Sequence, residues 1–472
     1  MLRPWNIELH LDERSGKAIY LQIADAIIKD IHWGRLKGGE ALPGSRQLAQ
    51  LLQVNRNTVV EALHVLLIEG WLVSKERKGT FVADQLPRFK KIKSPGRVRA
   101  TQERRVTGYS IYFDDGHPNG KIAPIAELAR SYRQVFHQKA KWQMMSYGNV
   151  YGDPAFRAEI AQMLNHQRRM QVAEDHICVT RGSQMAMYLI AQCLLSAGDH
   201  VMIENPGYKP AWQAWEHAGA TLLPVRVDEE GLLIEDVLAH LRSHKKVKAI
   251  YTTPHRQYPT TVTLSLQRRL ELIRLSNEYG FVIIEDDYDN EFHFGYRPVH
   301  PLSAFPELKH FIYVGTLSKV VAPALRIGYL ATKDAALIEK IGTLRKIIDV
   351  QGDTIMEQAV LQLIRDGTIK RHIRKAFQYY RSKRDFTASL LSEYLKNKAR
   401  YPVPEGGLAF WILPHKKINW MQVSKQLRSK GIGITTPDSF SYDEPVNGIR
   451  LGYGALSEEQ LKDGIKALAA FL

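Results

Sequence analysis

The sequence predicts an α/β protein in two parts: a small helical module closed by two short strands, then a large body on a mainly parallel sheet with helices on both faces. Three observations carry this. At 472 residues the chain is too long for one compact core, given roughly 100 to 200 residues per domain. Helical periodicity near the N-terminus gives way before residue 84 to two β-rich runs around a turn. Beyond residue 176, β-rich and helical runs alternate, the pattern of βαβ units.

The composition narrows the class. With 44% apolar residues and 21 Tyr, 15 Phe and 8 Trp, the chain has enough bulky surface to offset the entropy of ordering, which excludes disorder as its main state. No window approaches the roughly 18 uninterrupted apolar residues of a membrane span, and the opening MLRPWNIELHLDERS has no apolar core of a signal peptide. A soluble, cytoplasmic protein is expected. Cys178 and Cys193 lie in apolar runs (HICVT and IAQCLL), without C-x-x-C or a His cluster at ligand spacing. They read as buried thiols, with no disulfide framework and no metal site.

The 65 Lys+Arg against 49 Asp+Glu give a formal charge of +16. Residues 1–110 hold 19 of the bases and 11 of the acids, a net +8, so half of the excess sits in less than a quarter of the chain. Such concentration points to nucleic acid, although a solvated basic face has the same composition. The densest run, Arg88 to Arg105, is broken by Pro95-Gly96 and reads as a linker. This sets expected boundaries of 1–84 for the small module, 85–110 for the basic linker and 111–472 for the body.

In the module, Tyr20, Ile23, Ala24, Ile27, Ile28 and Ile31 form one buried helical stripe that ends at Gly34. After Leu42-Pro43-Gly44, Ser45 is expected to cap a helix through Leu52. Gln53-Val54 then turns, and Asn55 caps a second helix with Val59, Leu63 and Leu66 inward. Trp71–Lys75 and Thr80–Ala83 read as strands around Glu76-Arg77-Lys78-Gly79. Two helices on so short a turn, followed by a hairpin, outline a winged helix-turn-helix. Its second helix would enter a major groove with Arg56, Asn57 and Thr58 in its first turn. Arg46, Arg77 and Lys78 would hold backbone phosphates. A basic helical hairpin inside a larger domain would have the same pattern.

In the body, predicted strands His176–Thr180, His200–Glu204, Lys246–Thr252, Phe281–Glu285 and Phe311–Val314 alternate with helices such as Met185–Leu195 and Leu264–Tyr279. Ligands belong at the carboxyl ends of such strands. Thr180-Arg181-Gly182-Ser183-Gln184 turns from strand to helix, which suits a phosphate at a positive helix end. FVIIEDDYDNEF puts Asp286 and Tyr288 at the end of a buried strand, where the carboxylate wants a cationic partner. GTLSKVVAPALRIGYL offers Lys319 among small and apolar residues that depress its pKa, with Arg326 seven further on. Together these are the parts that hold pyridoxal phosphate: Lys for the Schiff base, Asp for the pyridine nitrogen, Tyr for the ring oxygen. Singly, each has a plain alternative: a surface lysine, a structural ion pair, a solvated arginine, and for Tyr208 ordinary core filling.

LPGSRQLAQLLQVNRNTVVEALHVLLIEGWLVSKERKGTFVA resembles the winged helix of the GntR superfamily of bacterial regulators, over about 65 residues. Gly44 and Asn55 stand where that family usually has Ser. Residues 110–472 resemble the fold-type I aminotransferases through YGNVYGDPAFR, TRGSQMA, ENPGY, EDDYDNEF, GTLSK, LRIGYL, EGGLAFWI and IRLGYG. That resemblance implies a large sheet subdomain and a smaller α+β C-terminal subdomain. It makes Lys319 the Schiff-base lysine, Asp286 the pyridine partner, Tyr288 the ring-oxygen donor and Tyr208 the stacking ring. Gly182, Ser183, Gln184, Ser318 and Arg326 would hold the phosphate, with Tyr147 reaching it from the neighbouring subunit of a homodimer. Arg450 would clamp a ligand carboxylate.

Thr253-Pro254-His255-Arg256-Gln257-Tyr258-Pro259 replaces the Asn-Pro-x-Gly usual on the loop beside the ring. A winged helix, a basic linker and this body together resemble the MocR-type branch of the GntR superfamily, although Arg256 departs from its usual Ser-His-Gln. The resemblance implies a DNA-binding transcription regulator that senses an amine, an amino acid or pyridoxal phosphate itself through an internal-to-external aldimine switch. The alternative is a competent aminotransferase with a DNA-binding appendage.

Overall fold

The computed structural model describes residues 16–76, 78–87, 109–137, 146–295, 299–317, 319 and 323–472. The chain divides into two compact units, Met1–Arg105 and Val106–Leu472. Arg77, Ser318 and nearly all of the basic linker lie outside the described residues.

The small unit contains α1 (Ile19–His32), α2 (Ser45–Leu52), α3 (Arg56–Ile68) and an antiparallel hairpin of β1 (Leu72–Lys75) and β2 (Gly79–Val82). Its core joins Ile23, Ile27 and Ile31 of α1 to Val59, Ala62 and Leu66 of α3, closed by Trp71 and Val82. Burying each large aliphatic side chain contributes about 1.5–3 kcal/mol, which is what holds so small a unit together. Asn55 caps α3 as expected, its side chain accepting from the Asn57 N–H at 2.9 Å. Ser45 does not cap α2: it is the first helical residue, and Gly44 occupies the cap position without a side-chain bond. The Ser45 hydroxyl instead meets Arg56 Nε at 3.4 Å. Both strands fall within a residue of expectation.

The body is built on an eight-stranded sheet. In chain order its strands follow β3 (Ile111–Phe113), which lies elsewhere: β4 (Ile177–Thr180), β5 (His200–Asn205), β6 (Thr221–Asp228), β7 (Gly231–Leu232), β8 (Val247–Thr252), β9 (Val282–Asp287), β10 (Phe311–Thr316) and β11 (Gly328–Ala331). Their spatial order is β4-β11-β10-β9-β8-β5-β6-β7. The pairs from β10 through β6 are parallel, whereas β11 and β7 run against their neighbours. The central strands are continuously buried through their interiors, because helices cover both faces and leave no side for polar alternation.

A second lobe has its own core. Strands β12 (Ala399–Arg400), β13 (Ala409–Pro414) and β15 (Ile449–Gly452) form an antiparallel sheet, and β14 (Ile432–Ile434) pairs in parallel with β3. Phe113, Phe410, Ile412, Leu451 and Ile465 meet inside it. The entry strand β3 therefore belongs to the C-terminal lobe although it precedes the large sheet in the chain. Among the described residues no helix is long and apolar enough to cross a membrane. Cys178 is buried as expected, but Cys193 is only partly so.

Candidate functional site

At the carboxyl ends of the parallel strands lies a cavity of about 180 Å³. Tyr251 and Thr253 reach it from the end of β8, Asp286 and Tyr288 from β9, Thr316 and Lys319 from β10. Ser183, Tyr208 and Arg326 complete the large-lobe walls, and Asp115 and His117 enter from the segment after β3. Parallel strands all end on one side of a sheet, so Tyr251, Asp286 and Lys319, which follow or end three neighbouring strands, converge without any long loop.

Asp286 is 4% exposed. Its Oδ2 accepts the Tyr251 hydroxyl at 2.9 Å, while Oδ1 is buried without a partner. Burial pushes the carboxyl up to about 7 against the opposing pull of the Tyr251 bond. The direct partner expected in Lys319 is thus a tyrosine, with Lys319 acting on Asp286 only at longer range. Lys319 Nζ donates to the Gly116 carbonyl at 3.3 Å and sits 4.7 Å from the centre of the Tyr288 ring. Burial lowers its pKa, partly offset by the charges of Asp289 and Asp115. That is the direction that favours a free, nucleophilic amine.

The opposite wall is a cradle. Gly182, at φ +80°, precedes the helix Ser183–Leu194, and a Cβ on it would come within 2.8 Å of Arg326 Nη2. The Arg326 guanidinium donates to the Arg181 carbonyl at 3.1 Å. A helix N-terminus beside a guanidinium offers N–H donors and positive charge at one point. Gln184 is turned aside, its Nε2 on the Pro210 carbonyl at 2.8 Å. Tyr208 stands edge-on to Tyr258 with ring centres 5.3 Å apart, its hydroxyl pushed up to about 12 by burial and then by Asp286. Tyr147 is 88% exposed, away from this cavity.

Arg450 on β15 is 1% exposed, and each of its nitrogens is engaged. Nε donates to the Asp115 carbonyl at 3.1 Å, Nη1 to the Pro259 carbonyl at 3.0 Å and Nη2 to the Tyr288 hydroxyl at 3.3 Å. The residue expected to clamp a carboxylate therefore ties the second lobe to the 253–261 loop.

That loop is fixed by two buried charges. Glu204 accepts Thr252 Oγ1 at 2.5 Å, Thr253 Oγ1 at 2.7 Å and Gln257 Nε2 at 3.3 Å. Arg256 pairs with Asp289 at 2.9 Å, the two side chains 3% and 2% exposed, and packs under Gly406 and Gly407 of the second lobe. Arg256 thus faces a carboxylate and a backbone turn, and does not line the cavity. Sequence reasoning missed Tyr251, Asp115 and His117. The Asp114-Asp115-Gly116 run after a short β segment is their only sequence signal, and it gains meaning once β3 joins the second lobe.

In the small unit, Arg46, Arg56, Asn57 and Lys78 are exposed and Thr58 is half-buried. Arg56 leans on Ser45, and Lys78 stands on the hairpin turn, its N–H on the Lys75 carbonyl at 2.9 Å.

Comparisons with known proteins agree with this division. The family described as aminotransferase class I and II matches residues 116–468, and that of bacterial regulatory proteins, gntR family, matches residues 19–82. The probable rhizopine catabolism regulatory protein MocR of Rhizobium meliloti is 26% identical over 483 residues, covering 98% of this chain and 96% of its own. The aromatic-amino-acid aminotransferase 1 of Thermococcus litoralis is 29% identical over 364 residues, 76% of this chain and 87% of its own. Among solved structures, the kynurenine aminotransferase of Pyrococcus horikoshii in complex with PMP superposes with a TM-score of 0.72 at 26% identity, over 78% of this chain and 91% of its own.

Proposed function

Because the chain belongs to the class I and II aminotransferase family and carries a gntR-type DNA-binding domain at its N-terminus, we propose that it is a MocR-like transcription regulator whose aminotransferase-like body binds pyridoxal phosphate and senses an amine. The observation that carries this is the joint presence of both parts in regulators matched along nearly the whole chain, where the enzymes match only the body.

The cavity suits the cofactor chemically. The unpartnered, buried Oδ1 of Asp286 would accept a protonated pyridine nitrogen, and the cradle of Gly182, Ser183 and Arg326 would receive a phosphate. When bound, the cofactor supplies an electrophilic carbon that an amine can hold covalently. The residues of this chain do the rest. Lys319, its pKa lowered by burial, is the group that a ligand amine displaces. Tyr288 donates to the ring oxygen, and Tyr208 covers the ring face. Ser318 and Gln184, through its backbone, complete the phosphate contacts, and Tyr147 extends to the same site in a partner copy.

Arg450 spends one N–H of Nη1 on Pro259 and one of Nη2 on Tyr288, and the remaining N–H of each would take a ligand carboxylate at the same tie. A carboxylate there competes for the guanidinium that ties β15 to the 253–261 loop, and a ligand shifts DNA binding by its differential affinity for the tied and released states. Electrophoretic shift of DNA from upstream of the protein's own coding sequence, with and without pyridoxal phosphate and amino acids, tests the proposal. A band pattern indifferent to both refutes it.

A further inference from the structure

We propose that Asp115 sets the ligand class: the site takes a primary amine that carries a second cationic group, and that second charge meets the Asp115 carboxylate. The inference rests on the reading that ligand amines arrive at Lys319. Two adjacent aspartates follow β3, and the fold uses them differently. Asp114 is consumed by its own turn, its Oδ1 accepting the N–H groups of Gly116 at 2.8 Å and His117 at 2.9 Å while its Oδ2 lies 3.2 Å from His117 Nδ1. Asp115 is fastened by its backbone, through the carbonyl that accepts Arg450 Nε. Its carboxylate lines the cavity in hydrogen-bonding contact with the Tyr258 hydroxyl, while Oδ1 is buried with no partner of its own.

Neither cation nearby fills that role. Arg450 directs its bonds to the Asp115 carbonyl, Pro259 and Tyr288 and makes none to the Asp115 carboxylate. Lys319 Nζ donates to the Gly116 carbonyl. The charge of Asp115 nonetheless reaches the site, since after burial it is among the groups that push the hydroxyls of Tyr258 and Tyr208 up. A buried carboxylate oxygen without a donor is costly, and a cationic donor is its strongest complement. An acidic distal group would meet repulsion, an apolar one would leave the oxygen unpaired, and a neutral donor would pair with it more weakly than a cation. Asp115 adjoins Gly116, whose carbonyl accepts Lys319 Nζ at 3.3 Å, and both Asp115 and Lys319 line the one cavity of about 180 Å³. A short aliphatic spacer between the two amino groups fits that shared cavity. Diaminocarboxylic acids and simple diamines share this chemistry, and differ in whether Arg450 is engaged.

The test uses the full-length protein loaded with pyridoxal phosphate, read by cofactor absorbance and by DNA shift. It is titrated with ornithine, lysine, putrescine and cadaverine against norleucine, butylamine, glutamate and 4-aminobutyrate. The dicationic group is expected to bind at least about tenfold tighter than norleucine and butylamine, the effect of roughly one good charged contact. In Asp115→Asn that ratio is expected to fall to within about twofold, and the variant's cofactor absorbance before titration reports an intact pocket. Ornithine and lysine against the diamines distinguish the two ligand sources. Equal binding of norleucine or glutamate by the wild type, or an unchanged ratio in Asp115→Asn, overturns the role of Asp115 and leaves the amine site standing. If none of the eight compounds changes the absorbance, the reading of Lys319 fails together with it.

Discussion

Asp286 gives the most quantitative expectation. In the cofactor-free protein its carboxyl is carried from its ordinary 3.8 to about 7, chiefly by burial. The native state therefore binds this proton more tightly than the unfolded chain. Its contribution is fully present below about pH 4 and is lost as pH rises through 7. A shift of that size corresponds to about 4 kcal/mol at roughly 1.4 kcal/mol per tenfold in proton affinity. Asp286→Asn keeps the acceptor for Tyr251 and cannot ionise. Urea unfolding of the cofactor-free wild type and variant between pH 4.5 and 8.5 is expected to give a stability difference that grows with pH in favour of Asn, by up to about 4 kcal/mol. Other buried carboxyls such as Glu291, raised to about 8, shift both proteins alike and cancel in the difference. A difference that does not vary with pH would refute the assignment of Asp286 as a costly, half-partnered carboxylate. Cofactor affinity at neutral pH is expected to fall in the same variant.

Further outcomes follow from the neighbouring contacts. Tyr251→Phe removes the bond that opposes burial at Asp286, so the midpoint of the pH-dependent difference should move upward. Arg256→Ala leaves Asp289 buried and unpaired, at a cost of about 3–5 kcal/mol by urea unfolding, whereas the double change Arg256→Met, Asp289→Leu should cost far less. Gly182→Ala puts a methyl against the Arg326 guanidinium at a positive φ, so equilibrium dialysis should find weakened pyridoxal phosphate binding with circular dichroism of the fold preserved. On the DNA side, Lys78→Ala should reduce the slope of log affinity against log salt by about 0.9, while Asn57→Ala should relax sequence preference by about 1–3 kcal/mol.

Much of the site is legible in the sequence because its residues sit at the ends of strands, where local pattern and position coincide. Asp286 and Tyr288 close one buried run, Ser183 opens a helix after another, and Lys319 with Arg326 follows a third. What the sequence hides is set by pairing between distant segments. Tyr251 meets Asp286 only because β8 lies beside β9 in a register that places Tyr251 against Ile284. Asp115 reaches the cavity because β3 pairs with β14 near the far end of the chain. The orientation of Arg256 was equally invisible, since a basic residue on a ligand loop and a buried partner for Asp289 look the same in one dimension. Ser45 fails as a cap for a local reason: the extended backbone falls one residue earlier, at Gly44, and leaves the hydroxyl to Arg56.

The central claim is that an amine acting at Lys319 changes how the protein holds DNA. It is tested most directly by the affinity of the pyridoxal phosphate-loaded protein for its own upstream DNA, measured with and without ligand amine in the wild type and in Lys319→Ala. The expected result is a several-fold, amine-dependent change in the wild type that is absent from Lys319→Ala. The same change in both proteins, or none in the wild type, would contradict it.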